Sequence, residues 1–184
     1  MGEIKRVGIV GSGIMGSGIA EVAAKAGFEV ILRSRSQTSA DSMVAGLQKS
    51  LDKQVEKGRL EQDARDATLA RVRGVSDLNE LADCDLVIES ILEDLPTKKQ
   101  LFNDLDRIVK DGAILATNTS TLDVDEIAAA TGRPGDVIGM HFFSPANVMR
   151  LLEVVRGKHT AKDVVATVMK LARPLRSEEH TSEL

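Results

Sequence analysis

Cysteines and long apolar runs are scarce in this sequence of 184 residues. The single cysteine, Cys84, cannot form an internal disulfide. The N-terminus enters a strand pattern without the basic region and cleavage site of a secretory signal, so we predict a cytoplasmic location. No apolar run approaches the roughly 20 residues needed to cross a bilayer, and a membrane role therefore has no support.

An excess of positive charge is also missing. The chain has 24 Lys and Arg residues against 28 Asp and Glu residues, for a net charge of −4. Nucleic-acid binding normally requires a basic face, so we predict no nucleic-acid partner, and local donors must hold any anionic ligand. We predict no metal site. The hydrophobic share of 42% and the charged share of 28% are typical of a globular protein with one main domain.

Short apolar segments alternate with amphipathic ones, which is the pattern of a parallel sheet with crossover helices and an α/β fold class. Strands are predicted at Ile4–Val10, Glu29–Leu32, Asp85–Glu89, Ala113–Ala116, Val137–Met140 and Val148–Val155. Helices are predicted at Ile14–Ala26, Pro96–Val109 and Ala161–Leu171, the last ending before Pro174.

The segment after the second predicted strand is longer than a simple crossover. Ser39–Lys57 and Glu61–Arg71 have helical patterns separated by Gly58. We predict that they form a protruding helical hairpin over about residues 36–72.

A glycine-rich loop follows the first predicted strand and opens the first helix. Its sequence, Gly11-Ser-Gly13-Ile-Met-Gly16, fits G-x-G-x-x-G. The first glycine permits a tight turn, the second lets the backbone approach a pyrophosphate, and the third allows close helix packing. We predict dinucleotide binding through Gly11, Gly13, Ile14, Met15 and Gly16. The alternative is a purely structural glycine turn.

The end of the second strand indicates which dinucleotide is preferred. NAD enzymes normally carry an acidic residue here for the ribose hydroxyls, whereas this chain has Arg33-Ser34-Arg35. An arginine and a serine hydroxyl can bind a 2′-phosphate, and no carboxylate repels it. We therefore predict that Ser34 and Arg35 contact the cofactor and that NADP(H) is favoured. The alternative is a solvated basic loop and NAD(H).

Five blocks of sequence together resemble one family, the 3-hydroxyacyl-CoA dehydrogenases, including bacterial 3-hydroxybutyryl-CoA dehydrogenases. The resemblance covers residues 4 to about 172, and its blocks are Gly11–Gly16, Leu86–Ser90, Ala116–Leu122, Met140–Pro145 and Leu151–Val154. It implies a Rossmann-like, doubly wound, mostly parallel sheet with an inserted helical hairpin. The family's C-terminal helical domain, through which a homodimer is expected, is missing from this sequence.

The resemblance also implies an acid–base site. The family's catalytic histidine falls on His141, its acidic partner on Glu153, and a serine that bonds the reacting oxygen on Ser120. Histidine suits proton transfer at a 3-hydroxyl because its pKa is near neutral. Without the resemblance, a lone histidine beside Phe142 and Phe143 would more often be a packing residue.

Further positions match cofactor contacts of the family. Asn118 is expected to border the nicotinamide, and Glu93 and Lys98 to contact the adjoining ribose. On pattern alone, Glu93 and Lys98 could equally be exposed charges at the start of a helix.

Substrate contacts are implied in the hairpin and after the catalytic histidine. Ser50 and Lys57 match CoA contacts, and two helical turns separate them, so both should project from one face. An ordinary solvated helix face that includes Lys49 and Lys53 is the alternative. Ser144 stands where many members have asparagine, which can alter a contact with the acyl-CoA.

The implied reaction interconverts (3S)-3-hydroxyacyl-CoA and 3-oxoacyl-CoA, with short chains such as 3-hydroxybutyryl-CoA, in fatty-acid or butanoate metabolism. Because half of the acyl-CoA cleft would lie in the missing domain, low activity is expected of the polypeptide as written. One alternative is another two-domain hydroxyacid dehydrogenase, which would usually use a lysine as its acid–base residue. The other is a non-catalytic dinucleotide-binding relative.

The last nine residues, Arg176–Leu184, differ in character from the rest of the chain. They contain almost nothing to bury, and one codon choice for them, AGATCGGAAGAGCACACGTCTGAACTC, matches a widely used sequencing adapter. We predict a dinucleotide-binding domain over residues 1–175 and a non-native tail over 176–184. A genuine polar tail is the alternative, and resequencing the locus decides between the two.

Overall fold

The structure is a computed structural model that describes residues 2–149, 151–175 and 178–183, the last range as backbone only. The strands are β1 (Arg6–Val10), β2 (Glu29–Arg33), β3 (Val72–Val75), β4 (Leu86–Glu89), β5 (Ile114–Thr117), β6 (Val137–Phe142), β7 (Leu151–Arg156) and β8 (Glu178–Glu183). The helices are α1 (Ile14–Lys25), α2 (Gln37–Glu56), α3 (Gln62–Ala70), α4 (Leu95–Ile108), α5 (Val124–Ala128) and α6 (Lys162–Ala172).

The described strands form one sheet in the order β3-β2-β1-β4-β5-β6-β7-β8. All neighbours from β3 to β6 pair in parallel, β6 and β7 are antiparallel, and β7 and β8 are parallel. The predicted mostly parallel sheet is therefore confirmed. The strand order reverses at β1, which lies between β2 and β4. Sheets of this kind bind ligands outside the carboxyl ends of the strands at such a point.

Successive residues of a strand contribute to two hydrophobic cores, one on each face of the sheet. Ile9 packs in the core that holds Ile19 of α1 and Val168 of α6. Its neighbour Val10 packs in the core that holds Phe102 of α4. Helices therefore cover both faces, as expected of a doubly wound sheet.

The segment between β2 and β3 contains the predicted pair of helices and one further strand. α2 and α3 do form a pair separated near Gly58, but they lead into β3, a strand that was not predicted. Leu47 and Leu51 of α2 are buried. A Cβ at Gly74 of β3 would lie 3.0 Å from the carbonyl oxygen of Ala40. The predicted helical pair is therefore present between the second and third strands, and α2 packs closely against β3 at Ala40.

Two smaller differences lie near the predicted site. The short helix α5 was not predicted, and β7 begins at Leu151 rather than at Val148. Val148 and Met149 instead donate their backbone N–H groups to the carbonyl oxygen of Pro145, at 3.0 and 2.8 Å. These bonds form a turn in the β6–β7 connection.

The predicted tail contains β8, which pairs in parallel with β7 from Leu151 opposite Glu178. The hydrogen bonds between two strands are made by backbone N–H and C=O groups, so this pairing does not require apolar side chains. Residues 176, 177 and 184 lie outside the described residues, and the origin of the tail stays a prediction. No helix in the described ranges has the length and apolar character needed to cross a membrane.

Candidate active site

The glycine loop has the geometry that its motif predicts. Gly11 has φ +148°, and a Cβ there would lie 2.5 Å from the carbonyl oxygen of Ser90. A Cβ at Gly16 would lie 2.6 Å from the Gly11 oxygen, so packing requires glycine at both positions. The space beside Gly13 is open, with nothing within 4 Å of a Cβ there. A ligand can therefore approach the backbone at this point.

The N-terminus of α1 is suited to an anion. Gly13 precedes the helix, no side chain caps its first turn, and no acidic residue lies in that turn. The free N–H groups and the positive end of the helix dipole favour a phosphate. Met15 is partly buried, whereas Ile14 is 78% exposed beside this position.

The three residues Arg33–Arg35, at the end of β2, lie in different environments. Arg33 donates from Nε to the carbonyl oxygen of Ser76 at 3.1 Å, and burial together with the nearby charge of Arg35 lowers the pKa of the Arg33 guanidinium. Ser34 is buried, and its hydroxyl donates to Ser39 Oγ at 2.8 Å. Arg35 is exposed and makes no hydrogen bond or ion pair within the described part of the chain. The exposed guanidinium of Arg35 is thus available to a ligand at this loop, while the Ser34 hydroxyl already donates elsewhere.

A buried ion pair between Lys98 and Glu89 lies at the carboxyl ends of β4 and β5. Lys98 Nζ lies 2.6 Å from Glu89 Oε1 and 3.2 Å from Glu93 Oε2. The side chains of Lys98 and Glu89 are 1% and 0% exposed. Thr117 Oγ1 donates to the other oxygen of Glu89 at 2.7 Å, and the Ile91 N–H donates to Oε1 at 2.6 Å. Lys98 therefore stabilises two carboxylates and does not reach the surface.

Glu93 joins this ion pair to the loop after β5. The Thr119 hydroxyl donates to Glu93 Oε1, and the Leu122 N–H donates to Thr119 Oγ1 at 2.9 Å. Burial raises the pKa of Glu93, but the Thr119 bond and the Lys98 charge outweigh it and hold the pKa below its usual value. Since the Glu93 side chain is 38% exposed, it can contact both this network and a ligand.

Asn118 connects the ends of three neighbouring strands. Its N–H donates to the carbonyl oxygen of Glu89 at 2.8 Å. Its side-chain oxygen Oδ1 accepts from the N–H of Phe142 at 2.7 Å. The loop after β5 is thereby fixed against β4 and β6.

His141 and Glu153 lie opposite each other in the antiparallel pair β6–β7. His141 Nδ1 lies 3.1 Å from Glu153 Oε2, and the two side chains are 17% and 34% exposed. The His141 ring packs 4.4 Å from that of Phe143, centroid to centroid. Ser120 is exposed, and it lines a cavity of about 360 Å³ together with Glu153. The structure thus brings the predicted His141–Glu153 pair together and places Ser120 and Glu153 on the lining of the same cavity.

The two residues predicted to contact CoA from α2 have different surroundings. The Ser50 hydroxyl donates to Glu21 Oε2 at 3.0 Å and so is directed at α1. Lys57 follows the last residue of α2 and is exposed. The Ser50 hydroxyl thus already has a partner within the chain, whereas the Lys57 side chain is open to solvent. Ser144 is exposed in the loop after β6.

Two buried carboxylates were missed by the sequence analysis. Glu89 closes an otherwise apolar strand, and Glu21 lies among the small apolar residues of α1, with Lys25 one turn later. A charge at a buried position is itself a signal, because such a group needs a partner. The partners could not be identified from the sequence, since they lie on other elements.

A larger open depression of about 640 Å³ lies at the opposite edge of the sheet, near Lys5, Arg6 and Asp85. Asp85 there accepts the N–H groups of Lys5 and Arg6, each at 2.8 Å, and pairs with Lys110 at 2.6 Å. This is the amino end of β1 and β4, and the Asp85 carboxylate there already has partners within the chain. The carboxyl edge remains the candidate site.

The open glycine loop at the strand-order reversal of a doubly wound sheet defines a Rossmann-type dinucleotide-binding domain, and the His–Glu pair lies on β6 and β7 of the same sheet. A sequence model of the family described as "3-hydroxyacyl-CoA dehydrogenase, NAD binding domain" matches residues 6–179, and the chain belongs to this family. Its cofactor is therefore a nicotinamide dinucleotide, and the space beside Gly13 fits a pyrophosphate.

The curated relatives include bacterial enzymes of similar sequence. The chain is 43% identical over 170 residues to a probable 3-hydroxybutyryl-CoA dehydrogenase of Deinococcus radiodurans, covering 92% of this chain and 61% of the relative. It is 42% identical over 170 residues to a 3-hydroxybutyryl-CoA dehydrogenase of Clostridioides difficile, covering 92% and 60%. The chain thus spans about three fifths of these relatives.

The solved structures include the (S)-3-hydroxybutyryl-CoA dehydrogenase PaaH1 from Ralstonia eutropha. It matches with a TM-score of 0.95 and 36% identity, over 98% of this chain and 64% of that one. The predicted fold and family are confirmed.

Proposed function

We propose that the protein is an oxidoreductase that interconverts (3S)-3-hydroxyacyl-CoA and 3-oxoacyl-CoA with a nicotinamide cofactor. The observation that carries this proposal is the His141–Glu153 pair, in which Nδ1 and Oε2 lie 3.1 Å apart. The pair belongs to the same sheet as the glycine loop. The names of the relatives from Deinococcus radiodurans and Clostridioides difficile support a short acyl chain, as in 3-hydroxybutyryl-CoA and acetoacetyl-CoA. Such a reaction belongs to fatty-acid or butanoate metabolism.

His141 is the proposed acid–base residue. With Nδ1–H donating to Glu153, the neutral ring presents Nε2 as an acceptor for the proton of the 3-hydroxyl group. The Glu153 carboxylate fixes the ring orientation and stabilises the imidazolium that forms. In the reverse direction His141 returns the proton to the 3-keto oxygen.

The loop after β5 positions the reacting groups. We propose that the Ser120 hydroxyl bonds the reacting oxygen and that Asn118, held by the Phe142 N–H, borders the nicotinamide. A nicotinamide held beside Asn118 would supply the acceptor for the hydride of C3, or its donor in the reverse direction. Glu93 is the proposed ribose contact, and Lys98 acts through Glu93 because it is itself buried.

Three contacts with the acyl-CoA are part of the proposal. Lys57 is exposed and can meet a CoA phosphate, and Ser144 lies in the loop after β6. Ser50 can take part only while its hydroxyl also bonds Glu21. A homodimer through a C-terminal helical domain remains the expectation for the complete protein.

We also propose that the cofactor is NADP(H) rather than NAD(H). Ser34 takes the place of the usual acidic residue, and the exposed guanidinium of Arg35 can bind a 2′-phosphate. Because Ser34 is buried and donates to Ser39, Arg35 carries most of this recognition. The family description names NAD, and NAD(H) is the alternative.

Kinetics with the two reduced cofactors test this preference. We expect kcat/KM for NADPH to exceed that for NADH by about tenfold, and Arg35→Ser to remove most of the difference by weakening NADPH alone. The matched control is Arg107→Ser on the exposed face of α4, which should leave both values unchanged. Tenfold better use of NADH by the wild type would contradict the proposal.

The compound that the protein oxidises distinguishes the proposed function from its two alternatives. We expect the complete gene product to oxidise 3-hydroxybutyryl-CoA and to leave free 3-hydroxybutyrate almost untouched. Faster oxidation of the free acid would favour another hydroxyacid dehydrogenase. Cofactor binding without oxidation of either compound would favour a non-catalytic relative.

A further inference from the structure

Glu21 lies at the centre of a polar cluster that links three segments of the chain. Its side chain is 3% exposed. Oε1 accepts from Lys25 Nζ at 2.8 Å and from Gln54 Nε2 at 2.7 Å. Oε2 accepts from Ser50 Oγ at 3.0 Å and from Asn147 Nδ2 at 3.1 Å. The carboxylate thus joins α1, α2 and the loop between β6 and β7.

The four donors keep this buried carboxylate charged. Burial raises the pKa of Glu21, but the bonds from Lys25, Gln54 and Ser50 outweigh it and leave the pKa below its usual value. Hydrogen bonds to a charged group are stronger than neutral ones, and a buried charge that loses them is costly. The cluster therefore resists separation of its three segments.

The loop held by Asn147 connects the two strands of the acid–base pair. It follows β6, which carries His141, and precedes β7, which carries Glu153. The same loop packs against α1 so tightly that a Cβ at Gly18 would lie 3.1 Å from Ala146 Cβ. Its position is therefore set by the helix that follows the glycine loop.

This loop also has an open surface. Val148 and Met149 are 67% and 43% exposed, and Ser144 is exposed as well. Apolar side chains next to a polar one at the edge of an active site suit the acyl and pantetheine portions of a CoA thioester. Asn147 lies between them and is bonded to Glu21.

We infer that Glu21 is a positioning residue for the acyl-CoA, because it holds the loop of residues 143–149 on α1 through Asn147. This inference rests on the proposed function. The cluster orders the loop before substrate binds, so its loss should raise the KM for acyl-CoA and spare the chemical step and cofactor binding. It also gives Ser50 a positioning role through its bond to Glu21, in addition to the proposed contact with CoA.

Two substitutions that exchange the carboxylate and the amide between positions 21 and 147 test the inference in the complete gene product. Asn147→Asp places a second carboxylate against Glu21, and we expect about a tenfold rise in KM for 3-hydroxybutyryl-CoA, with kcat and the cofactor KM within about twofold. Adding Glu21→Gln supplies an amide that can donate to the introduced carboxylate, and the KM should return close to the wild-type value. Asn103→Asp on α4 is the matched control and should change nothing.

Hydrogen exchange gives a readout that does not depend on turnover. The backbone N–H groups of Val148 and Met149 are bonded to Pro145, and Asn147→Asp should speed their exchange several-fold, with recovery in the double variant. An unchanged exchange rate, or a raised KM that Glu21→Gln does not lower, would overturn the inference. A wild type that ignores 3-hydroxybutyryl-CoA would instead refute the proposed function, and the exchange rates would still decide whether Glu21 holds the loop.

Discussion

Replacement of His141 by glutamine is expected to lower kcat by about 10²- to 10⁴-fold, the usual contribution of a positioned acid–base group. Glutamine keeps the size and polarity of the side chain but cannot take up the proton of the 3-hydroxyl. Cofactor affinity should stay within about twofold, because the glycine loop is on other elements. The measurements are steady-state rates with acetoacetyl-CoA and a titration of the reduced cofactor.

Two further variants show whether the loss of kcat depends on the His141–Glu153 pair. Glu153→Gln should cause a smaller loss, because it removes the partner that orients the ring and stabilises its charged form. His159→Gln makes the same chemical change at an exposed turn and should have no effect. Retention of the full rate by His141→Gln would refute the mechanism.

The largest loss of stability is expected from Lys98→Met. It leaves Glu89 fully buried without its cation, and breaking a buried pair from one side costs about 3–5 kcal/mol. The ion pair of Lys99 with Glu126 is 39% and 53% exposed, so Lys99→Met should cost at most about 1 kcal/mol. Urea unfolding followed by circular dichroism measures both free energies.

A double variant identifies the cause of this loss. Glu89→Gln added to Lys98→Met removes the uncompensated charge but keeps groups that can bond Thr117 and the Ile91 N–H. It should recover much of the lost stability. If Lys98→Met and Lys99→Met destabilise equally, Lys98 is not the partner of a buried charge.

Local patterns were sufficient for much of the fold. β1, the glycine loop and α1 follow one another within 25 residues, and their apolar spacing and glycines predict strand, turn and helix directly. β3 could not be predicted in this way, since Val72–Val75 includes Arg73 and Gly74 and is a strand only because β2 offers a parallel partner. Tertiary pairing, rather than propensity, decides such an edge strand.

In the candidate site, too, tertiary structure rather than a local sequence pattern brings the important residues together. His141 and Glu153 are twelve residues apart and meet because β6 and β7 are antiparallel, while the other central pairs are parallel. The family resemblance supplied this pair, and spacing alone would not have done so. The partners of Glu21 lie as far as 126 residues away in sequence. No local pattern encodes contacts of that kind.

The most direct test of the account is the oxidation of reduced nicotinamide cofactor when acetoacetyl-CoA is added to the purified complete gene product. The account predicts consumption of the cofactor with (S)-3-hydroxybutyryl-CoA as the product, and its loss in His141→Gln. A protein that binds the reduced cofactor but leaves acetoacetyl-CoA unchanged would contradict the account.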